Sequence, residues 1–580
     1  MSDAAAPAAP PPAPAAPAVP AGFASVTEGR GTILQKGNEV FYNPVQVVNR
    51  DLSVAVHSYC AAQRAAEGPA PRRHARGGPA AGAPRAPRPA GLRILEGLAA
   101  SGLRAIRYAK EVDGVGEVVA NDLDPAVVEA LRRNVEFNGP EASSRVVPST
   151  GDARLVMMAN PSGFDAVDLD PYGSPSQLLD SAVQAVDEGG LLLVTATDMA
   201  VLCGNNGEAC FAKYGVYPLH RPYCHEMALR VLLAAIHVAA SRHRRYIVPV
   251  LSCSIDFYVR VFVRVYTSAA EVKNGGTKLG YVFQSQGCDS FTWQRMARAT
   301  VKGSSTKYQP GAGPAVPERC PETGAAHTMG GPFWAEPLHD PAWVKGVLAL
   351  VRARRARFAA FDRIQGLLTS VSEELPDAPL YFDLHSVCKT LRCSAPRAEV
   401  MRSALLNAGF RVSGTHCTPL GFKTDAPWTA IWDIMRCWVA QHPVKPPAEG
   451  SAAAGILGRA PELKADFSRA PAAVQYKGKG KVARFLPNPE ANWGPKPKHG
   501  RTKAPRGEEQ QQQGKRAAAE GGAQAAGEGP QAEAEEAQPA GEEQAQAQPQ
   551  PQEDAVMREG GEADGAAAAP PADAPPPPQT

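Results

Sequence analysis

The chain has 580 residues and a net charge of +3 from 61 basic and 58 acidic side chains, length enough for two or three domains with ample core. That sum hides an asymmetry: from Glu508 onward there are 15 acidic and 3 basic residues, a net of −12, which leaves +15 on residues 1–507 and favours a polyanionic partner. Eleven cysteines without regular spacing argue against a disulfide framework and for a reducing compartment, while the start lacks the pattern of a signal peptide and no apolar run is expected to span a membrane.

Residues 1–25 are Pro/Ala-rich and read as disordered. The first folded domain opens over 26–63, where Asn49-Arg50-Asp51 precedes an amphipathic segment from Leu52 to Ala62. By itself Arg50 reads as a surface arginine at a helix start. Residues 64–91, rich in Arg, Pro, Gly and Ala without periodicity, read as a low-complexity insertion.

An α/β alternation fills 92–285. Strand Leu92 to Leu95 runs through Glu96 into the small residues Gly97 to Gly102, then a helix with Leu103, Ile106 and Arg107. The second strand, Glu117 to Ala120, ends in Asn121-Asp122, and an acid about twenty residues beyond a small-residue loop is what holds ribose hydroxyls in nucleoside-cofactor sites. After a helix from Ala126 to Phe137, a third strand ends at Gly151-Asp152-Ala153, placing a carboxylate where it could meet an adenine amino group. The fourth, Phe164 to Val167, runs into Asp168-Leu169-Asp170-Pro171-Tyr172-Gly173-Ser174-Pro175, and the fifth is Gly190 to Thr195. A helix over 224–241 and two strands, 247–253 and 257–266, complete seven strands with a final hairpin-like pair. Glu96, Asp122, Asp152 and Asp170 thus close four successive strands. Singly each is a cap or turn residue; in order at one sheet edge they describe a cofactor bed with a reactive site beside it.

That reactive site has a specific chemistry. An exocyclic amine on a base ring is nucleophilic only once its lone pair leaves conjugation. Asp170 and the carbonyl of Pro171 could accept its two N–H bonds, Asp170 taking the proton, and Tyr172 could stack on the base, worth roughly 1–3 kcal/mol. An ordinary strand-ending turn is the alternative.

Together these residues resemble the Class I S-adenosylmethionine-dependent methyltransferases, and more closely the tRNA guanine-26 N2-dimethyltransferase family. The shared segments are Phe41-Tyr42-Asn43-Pro44, Asn49-Arg50-Asp51, Ala100 to Arg104 with Arg107, Asp170 to Pro175, Gly330-Gly331-Pro332 and Lys423 to Pro427, with outlying matches at Phe485 to Glu490 and Asn492 to Pro495. The resemblance implies a seven-stranded Rossmann-like α/β methyltransferase domain with a smaller C-terminal α/β domain. It implies S-adenosylmethionine bound by Arg50, Arg104, Asp122, Asp152 and Ala153, with Arg50 near the methionine carboxylate. Asp170 is implied as catalytic, with Pro171 and Tyr172 beside it, and tRNA as the substrate. An amino-methyltransferase acting on adenine or a protein glutamine, and an inactive RNA-binding factor, are the rival readings. No obligate protein partner is inferred.

Residues 286–334 read as a connector. Members of the family often hold zinc here with two Cys-x-x-Cys pairs, but Cys288-Asp289-Ser290-Phe291 and Cys320-Pro321-Glu322-Thr323 each lack the second cysteine, and with His327 only three ligands are at hand. No metal is expected. Residues 335–442 read as an RNA-binding domain, with Arg352, Arg354, Arg355 and Arg357 set to grip phosphates if they face the catalytic edge. His416-Cys417 reads as packing or RNA contact, no orienting acid being evident. Over 443–507 the chain turns basic, with nine Lys/Arg across 477–506, suited to RNA binding or nuclear import. Residues 508–580 read as a disordered acidic tail. The nucleus is the expected location, with mitochondrion, plastid and cytoplasm left open.

Overall fold

The computed structural model describes residues 18–37, 42–67, 90–473 and 482–489. The Pro/Ala-rich start through residue 17, Phe41, the centre of the insertion, most of the 477–506 stretch with Asn492 to Pro495, and the acidic tail lie outside the described residues.

A hairpin opens the fold: β1 (Ala24–Glu28) pairs with β2 (Gly31–Gln35). Helix α1 (Val47–Glu67) follows, longer at both ends than its apolar pattern predicts and reaching into the expected insertion. The main sheet holds β3 (Leu92–Glu96), β4 (Val115–Asp122), β5 (Val146–Thr150), β6 (Phe164–Leu169), β7 (Val186–Ala196), β8 (Arg245–Ile255) and β9 (Tyr258–Thr267), in the order β5-β4-β3-β6-β7-β9-β8. The first five are parallel, and β9 runs antiparallel between β7 and β8. This is the expected seven-stranded sheet with its closing hairpin. Buried on both faces, its central strands are continuous apolar runs such as Leu191 to Val194. Between β3 and β6 the strand order reverses, which opens a crevice at the carboxyl ends.

Helices cover both faces. Asp124 caps Pro125–Phe137 by accepting from the Ala126 N–H at 2.9 Å, with proline in the first turn. Cys224–Arg242 differs from expectation: by length and composition it could cross a membrane, but 72% of its most apolar window is buried inside the protein. It is apolar all round because it is a core helix.

Two further sheets follow, built from the end of the 92–285 stretch and the stretch read as a connector. Leu279–Ser285, Phe291–Arg295 and His327–Trp334 form one, and Ala297–Lys302 with Ser305–Pro310 a second, two-stranded one. The next two helices, Pro341–Ala353 and Phe361–Ser372, share a core with the sheet, since Val344, Val347, Ile364 and Leu368 pack with Val54, Ile106 and Phe262. The sheet's core therefore runs past 335, through these helices and on to Leu380 and Tyr381. Arg354 pairs at 2.9 Å with Asp113, just ahead of β4, and so stands at the edge of the sheet opposite the strands' carboxyl ends.

Beyond Ser372 a small α/β unit has its own core around Phe382, Leu405 and Trp432, which also takes in Cys288, Cys320 and Ile456. Buried polar groups fasten this unit to the sheet. The Glu374 carboxylate receives His416 Nδ1 at 2.6 Å and lies 3.6 Å from Lys423 Nζ, which donates to Glu226 at 2.9 Å. His416 thus does have an orienting acid, supplied from 42 positions away, and its role is packing between units.

Candidate active site

At the carboxyl ends of the strands, Tyr42, Asn43, Gln46, Arg50, Glu96, Ala99, Ala100, Arg104, Asp122, Asp170, Pro171, Tyr172, Thr197 and Phe257 line a cavity of about 300 Å³. A larger one, about 780 Å³, lies at the opposite edge beside Arg64, Glu67 and Gly91; open α/β sheets do not bind ligands there.

The loop after β3 forms the cavity floor. Its backbone is fixed by Gly97 N–H to Asp168 O (2.9 Å), Ala99 N–H to Asn121 O (2.7 Å) and Ala100 N–H to the Asp122 carboxylate (2.9 Å). Gly102 turns the chain into helix α2 (Leu103–Glu111) at φ 75°, and a Cβ there would lie 2.8 Å from Leu131, so glycine is required twice over. Asp122 accepts from Ala100 and from Asp124 N–H, which holds its carboxylate at the cavity lip.

Arg104, in the first turn of α2, is the electrostatic hub. Its guanidinium pairs with Asp170, reaches Asp168 at 3.3 Å and Glu96 at 3.6 Å. Asp168 is buried and also takes Arg260 at 2.8 Å and the Tyr108 hydroxyl at 2.5 Å. Burial would raise its carboxyl, but Arg260, Arg104 and Tyr108 outweigh that and hold it at about 2. Burial lifts Glu96 well above the usual carboxylate range against the pull of Arg104, and Asp168 and Asp170 add to the rise. Sequence reading missed Arg260, although the apolar and arginine alternation of β9 carried its signal.

Arg50 is not a surface residue. It is buried and lines the cavity, with Glu28 accepting from Nε at 2.8 Å and Nη2 at 2.6 Å. Glu28 also binds Arg107 at 2.6 Å, and Arg107 reaches Asp51 at 2.7 Å and Glu111 at 2.8 Å, all four side chains buried. The other Asp51 oxygen accepts from Ala360 N–H at 2.8 Å.

Of the expected cofactor residues, Arg50, Arg104 and Asp122 line the cavity; Asp152 and Ala153 do not. Asp152 caps Ala153–Ala159 and binds Arg154 at 2.5 Å, and Ala153 is buried. The strand-end acid here serves the following helix. Asp170, Pro171 and Tyr172 all line the cavity, with Tyr172 half exposed and burial raising its hydroxyl pKa. Gly173, at φ 82°, turns the chain back through hydrogen bonds to Thr197.

The connector does not fit zinc. Cys288 and Cys320 have sulfurs 3.8 Å apart, but among the described residues neither belongs to a group of three His, Cys, Asp or Glu side chains at ligand spacing. In place of further ligands, Ser290 bonds Cys288 at 3.3 Å and Trp432 at 2.7 Å, and Phe291 packs edge-on against Tyr223 and Trp428. The group that does have ligand spacing is His339, Glu374 and His416: Ser252 N–H donates to His339 Nδ1, Ser254 N–H to His416 Nε2, and Glu374 takes His416 Nδ1 at 2.6 Å while His339 Nε2 lies 3.7 Å from its other oxygen.

A seven-stranded sheet with β9 inserted antiparallel, a small-residue loop after its first strand, an acid ending the second and an Asp-Pro-Tyr loop ending the fourth define a Class I methyltransferase. The profile of the N2,N2-dimethylguanosine tRNA methyltransferase family matches residues 22–436. The chain belongs to that family. It is 57% identical over 410 residues to tRNA (guanine(26)-N(2))-dimethyltransferase 1 of Arabidopsis thaliana, covering 71% of this chain and 69% of that one. To the Homo sapiens tRNA (guanine(26)-N(2))-dimethyltransferase it is 44% identical, covering 82% of this chain and 77% of the relative. Among solved structures, Trm1 from Pyrococcus horikoshii in complex with S-adenosyl-L-methionine is 28% identical with a TM-score of 0.57, covering 70% of this chain and 97% of that one.

Proposed function

We propose that Asp170 accepts the proton of the guanosine N2 amine while Tyr172 covers the base ring, in an enzyme that is an S-adenosylmethionine-dependent tRNA (guanine26-N2)-dimethyltransferase. The observation that carries this is the shared cavity: Asp170, Pro171 and Tyr172 line the same space as Arg50, Arg104 and Asp122.

S-adenosylmethionine supplies an already electrophilic methyl group, which leaves the protein the tasks of alignment and amine activation. Asp122, which lines the cavity, takes the ribose hydroxyls in this reading. Arg50, with Nε and Nη2 held by Glu28, would turn Nη1 to the methionine carboxylate. Asp152 would reach an adenine amine only after releasing Arg154. Arg104 orients the Asp170 carboxylate, and the Pro171 carbonyl accepts the second N–H of the amine. The guanosine must leave its stack to offer that amine. After one methylation a single N–H remains, so Asp170 acts a second time on the same nitrogen.

The test is methyl transfer to unmodified tRNA, read as modified nucleosides by mass spectrometry. Dimethylguanosine that disappears with Asp170→Ala and when guanosine 26 is replaced supports the reading; tRNA and cofactor binding without product would make the chain an inactive RNA-binding factor. The basic 477–506 stretch supports a nuclear location and a part in RNA binding, which fluorescent fusions with and without it would check.

A further inference from the structure

Two rings that the chemistry above does not use stand on the same side of the molecule as the Asp-Pro-Tyr loop. Phe211, on the eight-residue helix Gly207–Tyr214, and Tyr217, just beyond it, stack with centroids 5.3 Å apart and planes 22° from parallel. They are 54% and 50% exposed, as open as Tyr172 at 52%. A single exposed ring calls for no explanation; a stacked pair held in place from both sides does.

The restraint on one side comes from the catalytic loop. Tyr214, one helical turn beyond Phe211, is buried; its hydroxyl donates to Asp198 Oδ1 and accepts from Ser174 Oγ, both at 2.8 Å. Ser174 belongs to the Asp170–Pro175 segment. On the other side, Tyr217 and Gly331 exchange backbone hydrogen bonds of 3.1 and 2.8 Å. Gly331 sits at φ 125°, and a Cβ on Gly330 would lie 2.7 Å from Leu219, so the Gly330-Gly331-Pro332 segment has the task of fixing this turn. A cation is close by, because Lys213 pairs with Asp198 at 3.1 Å while its side chain remains 39% exposed.

We propose that Phe211 and Tyr217 form a stacking platform for a nucleotide of the tRNA next to the target guanosine. The proposal rests on the tRNA reading above. Extruding one base leaves its neighbour with a bare face, and an aromatic pair tied to the loop that receives the extruded base covers such a face whatever the sequence. With this pair the enzyme holds both the base it modifies and the gap that base leaves behind.

The experiment uses the full chain as wild type, Phe211→Leu, Phe211→Trp and the double variant Phe211→Ala/Tyr217→Ala. Unmodified tRNA carries 2-aminopurine beside the target position, whose fluorescence is quenched by stacking. The double variant is expected to raise KM for tRNA by about tenfold to a hundredfold, to lose the quench, and to leave the cofactor Kd unchanged. Phe211→Leu, which keeps an apolar side chain and so the fold, should lose most of the quench, and Phe211→Trp should keep it. Unchanged KM and quench in both Phe211→Leu and the double variant would overturn the platform, as would a change in self-association with tRNA binding intact, which would make the pair a contact between copies. If wild type binds tRNA but makes no product, the catalytic reading fails alone and the quench still decides the platform.

Discussion

Arg104 grips the Asp170 carboxylate in the cofactor cavity while Asp168, two residues earlier and still on β6, pairs with the same guanidinium. The residue expected to take the proton is therefore aimed by a guanidinium that is itself locked in the core. Asp170→Asn keeps the shape of the side chain and removes the base. It is expected to lower kcat by about 10²–10⁴-fold while cofactor affinity by calorimetry changes little; a comparable loss of cofactor binding would show Asp170 to be a binding residue instead.

Arg107 has no exposed surface and pairs with Glu28, Asp51 and Glu111. Its replacement by leucine leaves Glu28 with Arg50 but takes the guanidinium from buried Asp51 and Glu111, at an expected cost of about 3–5 kcal/mol. Urea unfolding monitored by fluorescence would measure it. A change below about 1 kcal/mol, the range of exposed pairs, would mean that water already reaches this network.

Acid should weaken the fold in two separate windows. His57 and His237 are buried, and burial pushes both down to about 4 from an ordinary 6.5. Between those values the unfolded chain binds protons that the folded chain refuses. Their contribution is whole above pH 6.5 and is lost as pH falls toward 4, on the order of 3 kcal/mol for each. Asp168, held at about 2, acts lower: its contribution is whole above an unfolded pKa of about 3.8 and fades as pH falls to 2. Urea midpoints at pH 7 and pH 4.5 should separate clearly in wild type and less in His57→Asn.

Chelation should leave the protein unchanged. With two thiols at the connector and, among the described residues, no third His, Cys, Asp or Glu at ligand spacing from them, dialysis against a chelator is expected to shift neither melting temperature nor activity, and elemental analysis to find substoichiometric zinc. Removing Trp432, the buried ring that bonds Ser290, should instead cost about 3–5 kcal/mol.

What the sequence disclosed and what it hid follow from physics. Parallel strands buried on both faces are apolar runs ended by acids, so β3, β4, β6 and β7 were readable locally, as were Asp122 and Asp170. Arg50 was not, because its partner Glu28 lies on another element and nothing near it in sequence announces burial. Ala297–Lys302 and Ser305–Pro310 are largely exposed and polar, which leaves no hydrophobic alternation to read. Asp152 shows a different difficulty: a carboxylate at a strand end can meet a cofactor or cap the next helix, and here it caps Ala153–Ala159, a pairing that its sequence position alone does not announce.

The division of Asp51 between Arg107 and Ala360 has a consequence for synthesis. One carboxylate oxygen finds its partner 56 positions later, the other only at 309. Although the cofactor-binding half is translated first, Asp51 gains its backbone donor only once residue 360 has been made, and until then that oxygen of a core carboxylate lacks it. A fragment cut between the sheet and the helices that follow it would remain at that unfinished stage, so cofactor binding should be gained late and all at once rather than domain by domain.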